Sequence, residues 1–395
     1  MSAGGEPDVD VIRGDVELLA AMVRDSAGAG ERAAARWACE RLAHAGALDA
    51  RTEPFRARAT NSWSFAAHGL AGLAALRLRG RRGALLALAA LASLERDASG
   101  CAPWRRRVIG GGRGANAVAR VPPGGPPRAR VVLVAHLDAA RTGLAWSPAV
   151  VRTGAARRLR TRRAEPVMGL HAAGLGAAAA AALLPRERAT QRLAAGFAAV
   201  TNAAAVGLNL DIARSPTVPG ANDNATGVAA VLELTRLLAA APLAHTELVV
   251  ALVGAEESGI GGFHAFLRAH RGELDPPRTF VLGLDTLGCG TPILAGAEGA
   301  VLTHRYRTRD LALVDAGAAR AGEPAPARWR IGAWTDPLLA LQAGLPTASL
   351  LSMGPGYYPH YHHPSDVPAH VDWGCVGACA RIALGTLRTY DERWR

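Results

Sequence analysis

Five side chains of types that bind metal ions follow one another along the chain, and Glu256 directly adjoins one of them. The five are His136, Asp223, Glu257, Asp285 and His362. Two imidazoles and three carboxylates are enough to hold a pair of zinc-like ions, and Glu256 could serve as a base on a bound water. The set predicts metal-dependent chemistry on water, provided that the fold brings these residues together.

Four continuous apolar runs predict strands that are buried on both faces of a sheet. They cover residues 129–135, 247–254, 279–284 and 346–352. Helical patterns lie between them, at 224–240, 261–270 and 336–343. This alternation predicts an α/β fold in which helices flank a mostly parallel, mixed central sheet.

The candidate residues fall at the carboxyl ends of three predicted strands. His136 directly follows the first strand, and Asp285 directly follows the third. Glu256 and Glu257 follow the second strand within a few residues. Because sites in open α/β sheets lie beyond the carboxyl ends of the strands, this placement favours a single shared site.

Two of the local sequences also have ordinary structural explanations. In His136-Leu137-Asp138, the carboxylate of Asp138 could orient the imidazole, although such pairs are common at strand ends. Asp223 lies in a glycine-rich approach to a helix, where a carboxylate could bridge two cations. Taken alone, that position is more typical of a helix N-cap.

The other local sequences are more specific. The adjacent carboxylates of Glu256 and Glu257 leave a buried strand, and their repulsion favours a nearby cation. The alternative for this pair is a solvated helix N-terminus. His362 and His363 precede a proline turn, where the alternative is a surface patch of histidines.

Taken together, these blocks resemble the M28 family of zinc peptidases. The matching sequences are His-x-Asp, Gly-Ala-Asn-Asp-Asn-Ala-Thr-Gly, Glu-Glu-Ser-Gly, Leu-Asp-Thr-Leu-Gly and Tyr-His-His-Pro-Ser-Asp-Val-Pro. Trp334-Thr335-Asp336 also resembles a Ser/Thr-Asp step of the family, with Pro337 where a histidine is common. The resemblance covers roughly residues 11–60, 115–140 and 212–395 and implies a zinc-exopeptidase fold of the phosphorylase/hydrolase type.

The resemblance implies a dinuclear zinc site. His136 and Asp285 would hold one Zn²⁺ ion, and Glu257 and His362 would hold the other. Asp223 would bridge the two ions.

It also implies roles for the neighbouring residues. Glu256 would be the general base, and Tyr361 would stabilise an oxyanion. Asp138 would orient a metal ligand through a hydrogen bond without binding the ion itself. The role of His363 stays open, because the family commonly has a threonine there. A cis peptide bond is implied at Asp223–Asn224, although such bonds are rare outside proline.

Two segments interrupt the predicted catalytic unit, which comprises residues 1–60, 111–140 and 212–395. Residues 61–110 and 141–211 each predict an inserted apolar helical hairpin, and the second carries a basic patch at 152–163. The hairpins could enter a membrane, with their arginine-rich turns on the cytoplasmic side, or form a soluble subdomain or dimerisation surface. The sequence favours neither alternative, and the oligomeric state stays open.

The net charge of +12 does not indicate a nucleic-acid partner. Every basic residue is an arginine, which fits a GC-rich coding bias, and no aromatic-plus-basic nucleic-acid module occurs. Residues 1–10 hold no basic stretch followed by an apolar one, so no conventional signal peptide is expected. Localisation stays open between membrane-associated and cytoplasmic.

These features predict a zinc-dependent exopeptidase with peptide substrates, and an aminopeptidase is the leading hypothesis. The alternatives are carboxypeptidase-type or cyclase-type activity on the same fold, and a membrane-attached scaffold without catalytic activity. The side-chain preference is not determined by the sequence.

Overall fold

The computed structural model describes residues 5–100, 111–185 and 188–395. Residues 101–110, which end the first predicted hairpin segment, lie outside this range. The strands are β1 Leu48–Ala57, β2 Gly112–Val121, β3 Ala129–His136, β4 Thr246–Val253, β5 Thr279–Leu284, β6 Thr291–Glu298, β7 His304–Arg305, β8 Ala327–Ile331 and β9 Thr347–Met353. The helices are α1 Val9–Ala20, α2 Ala29–His44, α3 Ser62–Leu78, α4 Gly80–Ala98, α5 Pro148–Arg152, α6 Ala155–Thr161, α7 Gly169–Leu183, α8 Ala189–Arg214, α9 Thr226–Ala240, α10 Gly261–Ala269, α11 Thr308–Arg320, α12 Pro337–Gln342 and α13 Trp373–Glu392.

The strands form one mixed sheet in the order β1-β2-β4-β3-β5-β9-β6-β7, and β8 pairs with β6. The central strands β4, β3, β5 and β9 are parallel. The flanking pairs β1–β2, β2–β4 and β6–β9 are antiparallel. The predicted α/β fold with a mixed central sheet is confirmed.

The four predicted strands are the central ones, and their register explains the candidate site. His136 pairs with Val253, so the carboxyl ends of β3 and β4 lie side by side. On the other side, β3 pairs in parallel with β5, which Asp285 follows. Three of the candidate segments therefore leave the same edge of the sheet.

Strands β6, β7 and β8 were not predicted from the sequence. β6 carries only three fully buried residues in a row, Ile293 to Ala295, before its pattern becomes irregular, and β7 has two residues. Short or bulged strands at the side of a sheet lack the long apolar run that marks a central strand.

Helices cover both faces of the sheet. On one face, α1, α2, α9 and α13 pack against the inward side chains of the strands in the main apolar core. On the other face, a smaller core joins Phe263 and Phe266 of α10 to Leu339 of α12 and to the strands. Both faces of β3 and β4 are buried, which accounts for their uninterrupted apolar sequences.

The helices of the two interrupting segments pack together. α3 and α4 contact α7 and α8, and the four form an antiparallel bundle. The bundle interior consists largely of alanine and of a few larger apolar residues such as Phe65, Leu94 and Leu175. Within the described residues, Ala189–Arg214 is the helix long and apolar enough to cross a membrane, by length and composition alone.

Candidate metal centre

The structure brings all six candidate residues together at the carboxyl edge of the sheet. His136 is the last residue of β3, and Glu256 and Glu257 stand in the loop between β4 and α10. Asp285 directly follows β5. Asp223 lies in the tight turn before α9, and His362 lies in the loop between β9 and α13.

Asp223 lies at the centre of the group, between the two histidines. Its Oδ1 atom is 3.3 Å from His136 Nε2, and its Oδ2 atom is 3.2 Å from His362 Nε2. Each histidine faces one further carboxylate. Asp285 Oδ1 is 3.9 Å from His136 Nε2, and Glu257 Oε2 is 3.2 Å from His362 Nε2.

These distances fit ligands that surround a common ion. Two ligand atoms about 2.0–2.1 Å from a tetrahedral zinc ion stand about 3.3 Å apart. Among the residues that the structure describes, His362 Nε2 and Glu257 Oε1 have no hydrogen-bond partner, although both atoms are buried and carboxylates surround them. Buried polar atoms that converge without bonding one another are the signature of a missing central partner. The donor set therefore fits two zinc-like ions, one beside each oxygen of Asp223.

His136 is held in the tautomer that a metal ligand needs. Its Nδ1 atom lies 3.1 Å from the carbonyl oxygen of Asp138, which can only accept a hydrogen bond. Nδ1 therefore donates, and the lone pair of Nε2 is directed towards Asp223 and Asp285.

Asp138 positions the two glutamates rather than the imidazole alone. Its carboxylate accepts hydrogen bonds from the backbone N–H of Glu256 at 3.0 Å and of Glu257 at 3.2 Å. It also accepts one from the Ser26 hydroxyl at 2.6 Å, and its Oδ1 atom is 3.6 Å from His136 Nδ1. One buried carboxylate thus fixes parts of both candidate ion sites.

Asp366 and Arg24 hold the turn that carries Asp223, and sequence reasoning missed both functions. The carboxylate of Asp366 accepts hydrogen bonds from the backbone N–H of Asn222 at 2.8 Å and of Asp223 at 3.1 Å. The buried guanidinium of Arg24 donates to the carbonyls of Leu137, Pro219 and Gly220. These partners are more than 100 residues distant from Arg24 or Asp366, so local sequence carries no signal of them.

Left-handed backbone conformations shape three of the loops at the site. Ala255, Thr286 and His362 have φ values of 53°, 51° and 50°. None is a glycine, and such conformations persist where the surrounding structure imposes them, often at functional sites. The peptide bond between Asp223 and Asn224 is cis, as the family resemblance implied.

The pKa values of the site residues reflect the crowding of carboxylates there. Burial, together with the charges of Glu257, Asp336 and Asp285, raises the pKa of Glu256 well above its usual range, against the opposing effect of His136. Burial likewise raises the pKa of Asp285 to about 6. Burial opposes the charge on His362, yet the nearby carboxylates of Glu257 and Asp223 raise its pKa to about 10. A cation would relieve this repulsion.

Asp336 is a further buried carboxylate at the site. Its Oδ1 atom has no hydrogen-bond partner in the described part of the chain, and burial raises the pKa of the Asp336 carboxyl well above the usual range. The neighbouring hydroxyl of Thr335 donates to the buried carboxylate of Glu298, not to Asp336. The sequence pointed to this pair only through its resemblance to the Ser/Thr-Asp step.

Aromatic side chains form one wall of the site. The ring of Tyr361 stacks on that of His362 with centroids 3.8 Å apart, and Trp146 meets the same imidazole edge-on at 4.5 Å. His363 points elsewhere, because its Nδ1 atom lies 2.7 Å from the Ser365 hydroxyl. Trp146 belongs to the second interrupting segment, and nothing in the local sequence marked it as part of the site.

A cleft of about 710 Å³ opens beside Glu256, Glu257 and His362. Its apolar lining comes mainly from the interrupting segments and from the loop before α12, through Phe65, Trp146, Val167, Met168, Ile212 and Trp334. Asn61 at the start of α3 also donates to the Glu257 carbonyl at 3.2 Å. The helical bundle is therefore part of the cleft.

Residues 202–387 match the model of peptidase family M28. This part of the chain belongs to peptidase family M28. The resemblance expected from the sequence is thereby confirmed, and the matched M28 segment contains Asp223, Glu256, Glu257, Asp285 and His362. His136 and Asp138 precede it. A search of curated proteins gives no match.

Solved structures share the fold of this chain at low sequence identity. The LapA aminopeptidase of Legionella pneumophila is 11% identical with a TM-score of 0.52, over 97% of this chain and 71% of its own. The aminopeptidase of Aneurinibacillus sp. strain AM-1 is 13% identical with a TM-score of 0.55, and the match covers 97% of this chain and 93% of that one. A glutaminyl cyclase of Bacteroides thetaiotaomicron is 13% identical with a TM-score of 0.56, and the match covers 98% of this chain and 99% of that one. These similarities show the fold alone.

Proposed function

We propose that the protein is a zinc-dependent aminopeptidase that removes N-terminal residues from peptides. The observation that carries the proposal is Asp223, whose two carboxylate oxygens face two histidines at 3.3 and 3.2 Å. A carboxylate shared in this way is the natural bridge of a two-ion site. In two-metal hydrolases, the bound ions activate a water molecule and polarise the scissile carbonyl.

Glu256 is the proposed general base. A carboxylate oxygen of Glu256 lies within 4.8 Å of ligand atoms of His136 and Glu257, yet the dinuclear pattern does not require it as a ligand. Its carboxylate therefore stays free to take a proton from the attacking water and to return it to the leaving amine. Tyr361 lines the same cleft and is the proposed donor to the developing oxyanion.

The cleft supports a preference for apolar N-terminal side chains. Phe65, Met168 and Ile212 supply apolar surface, whereas Arg141 is the single arginine that lines this cleft among the described residues. The packing of α3 and α8 around the cleft favours short peptides. Cleavage rates on peptides of increasing length, with alanine or leucine as the N-terminal residue, would test this length limit.

Two variants separate the proposed roles of Glu256 and Asp223. We expect Glu256→Ala to keep its zinc and to lose about 10²–10⁴-fold in turnover of an aminoacyl-arylamide, because only the proton acceptor is removed. We expect Asp223→Ala to lose zinc as well as activity, measured by elemental analysis of the purified protein. Near-full turnover by Glu256→Ala would show that another group is the base.

Cyclase-type activity is the second candidate, because a glutaminyl cyclase shares the fold with a TM-score of 0.56. A peptide with N-terminal glutamine distinguishes the two reactions: hydrolysis releases free glutamine, and cyclisation releases ammonia. Ammonia release without free amino acids would replace the aminopeptidase proposal. Protein without bound zinc and without either product would support the scaffold alternative.

A further inference from the structure

The four-helix bundle of α3, α4, α7 and α8 has small and polar residues at its closest helix contacts. A Cβ atom at Gly72 would lie 2.4 Å from Asn202 Oδ1, and one at Gly174 would lie 2.6 Å from Thr201 Oγ1. The helices therefore approach one another at backbone distance. Close approach over small residues, with uncharged polar side chains at the contact, is typical of helices packed in a membrane.

Hydrogen bonds between neutral side chains tie the bundle together. His171 Nε2 of α7 lies 2.9 Å from Asn209 Nδ2 of α8, and His68 Nε2 of α3 lies 2.8 Å from the Ser93 hydroxyl of α4. All four side chains are uncharged when the imidazoles are neutral. Such bonds satisfy polar groups within the bundle and leave its outside apolar.

Apart from a few buried ones such as Phe65, Leu94 and Leu175, many large apolar side chains face outward, on all four helices. On α8, Leu193 is 73% exposed, Phe197 49% and Val200 70%. The other helices expose Leu70, Leu78, Leu85, Leu88, Leu170 and Leu183 to a similar extent. Only 28% of the apolar window of Ala189–Arg214 is buried, whereas the core helix of a soluble protein is mostly buried. The outside of the bundle is thus rich in large apolar side chains, which a water-soluble bundle does not require.

Arginines collect at the end of the bundle that is distant from the metal centre. The turns there, between α3 and α4 and between α7 and α8, expose Arg77, Arg79, Arg81, Arg82, Arg188 and Arg192. The uncharged stretch of α8, residues 193–210, spans about 27 Å at 1.5 Å per residue. That length is close to the roughly 30 Å thickness of the hydrocarbon core of a bilayer. The turn that joins α3 and α4 carries arginines whose long side chains can reach the headgroups.

We propose that this bundle is embedded in a lipid bilayer, with its arginine-rich turns among anionic headgroups and the metal centre at the opposite membrane surface. A second copy of the chain would cover one side of the bundle, but the exposed apolar residues occur on all four helices. Lipid covers every side. Trp63, which is 46% exposed near the start of α3, lies at the depth where tryptophan is enriched at membrane interfaces.

The test uses the full-length protein and membranes prepared from expressing cells. We expect the protein to stay in the membrane pellet after a high-salt wash and after an alkaline carbonate wash, and to require detergent for purification. The double variant Phe197→Glu/Val200→Glu should shift at least about tenfold towards the soluble fraction, because a carboxylate in hydrocarbon is strongly disfavoured. The matched control is Leu18→Glu, which changes a leucine on α1 that is 53% exposed.

A second measurement needs no charged substitution in the apolar part of the bundle. The purified protein is reconstituted into vesicles of phosphatidylcholine and phosphatidylglycerol that carry brominated acyl chains, which quench nearby tryptophans. We expect quenching that is largely lost in Trp63→Phe. A protein that purifies as a monomer without detergent and does not float with vesicles would overturn the proposal. A detergent-free dimer that Phe197→Glu/Val200→Glu dissociates would replace it with a chain–chain interface.

Discussion

Asp366 controls the position of the bridging candidate Asp223 without being a ligand itself. Each oxygen of its carboxylate accepts one backbone N–H, from Asn222 and from Asp223. An amide in its place would present a donor to one of these N–H groups. Because the outer partners of metal ligands tune affinity, we expect Asp366→Asn to weaken zinc binding by about 10–100-fold.

The measurement for Asp366→Asn is a zinc titration against a competing chelator. The matched control is Ser365→Ala, whose hydroxyl contacts His360 and His363 but no candidate ligand. We expect the control to keep the parent affinity. Equal affinities for both variants would show that the turn holds Asp223 in place without Asp366.

At the scale of single residues, the sequence placed the six chemical groups but not their supports. His136, Glu256, Glu257 and Asp285 were found because each follows a predicted strand. Their roles as metal ligands and base stay predictions, although the geometry gathers them at one point. Arg24 was missed because its function depends on carbonyl groups that only the folded chain brings near it.

At the scale of elements, close helix contacts determine how the bundle packs. Gly174 and Gly176 both lie in α7, but a Cβ atom at Gly174 would strike Thr201 and Asn202, whereas one at Gly176 meets nothing within 4 Å. We expect Gly174→Ala to lower the free energy of unfolding by about 1–3 kcal/mol through overpacking. Gly176→Ala should raise it by about 0.5–1 kcal/mol, because alanine favours helix.

Chemical denaturation of the two variants, followed by helical circular dichroism in detergent or lipid, checks this contrast. The same substitution in the same helix cancels effects on the unfolded chain. Equal effects of the two variants would mean that α7 and α8 pack more loosely than the contact at Gly174 indicates.

An ion pair and a hydrogen bond join the bundle to the loop that carries Glu256 and Glu257. The buried guanidinium of Arg58 lies 2.8 Å from Asp97 of α4 and donates to the carbonyl of Ser258, one residue beyond Glu257. The sequence predicted the helices of both interrupting segments from their apolar runs. It could not show that two hairpins separated by about 70 residues form one bundle. Small residues allow close packing of helices but do not specify which helix they will contact.

At the scale of the whole molecule, the candidate ligands come from segments between residues 136 and 362, so metal binding should stabilise the entire fold. A ligand that binds only the folded protein adds about 4 kcal/mol when its free concentration is a thousand times its dissociation constant. We expect the unfolding temperature to rise with zinc concentration and to fall when a chelator is added. Differential scanning fluorimetry measures both effects.

Asp223→Ala is the control for that stabilisation. The variant should show little rise in unfolding temperature with zinc, because both ion sites lose a shared ligand. A rise equal to that of the parent protein would indicate that zinc binds elsewhere, for instance at His360 and His370, whose rings stack 4.3 Å apart.

The sequence by itself determined the central sheet, the edge at which chemistry occurs and the residue types available there. It could do so because buried parallel strands require continuous apolar runs, and their carboxyl ends must meet. Only the tertiary structure decided that Asp223 faces both histidines, that Asp138 and Asp366 hold the ligand backbones, and that the inserted helices line the cleft and turn large apolar side chains outward. Those relations depend on contacts between residues far apart in the chain, where spacing in the sequence carries no information about distance in space.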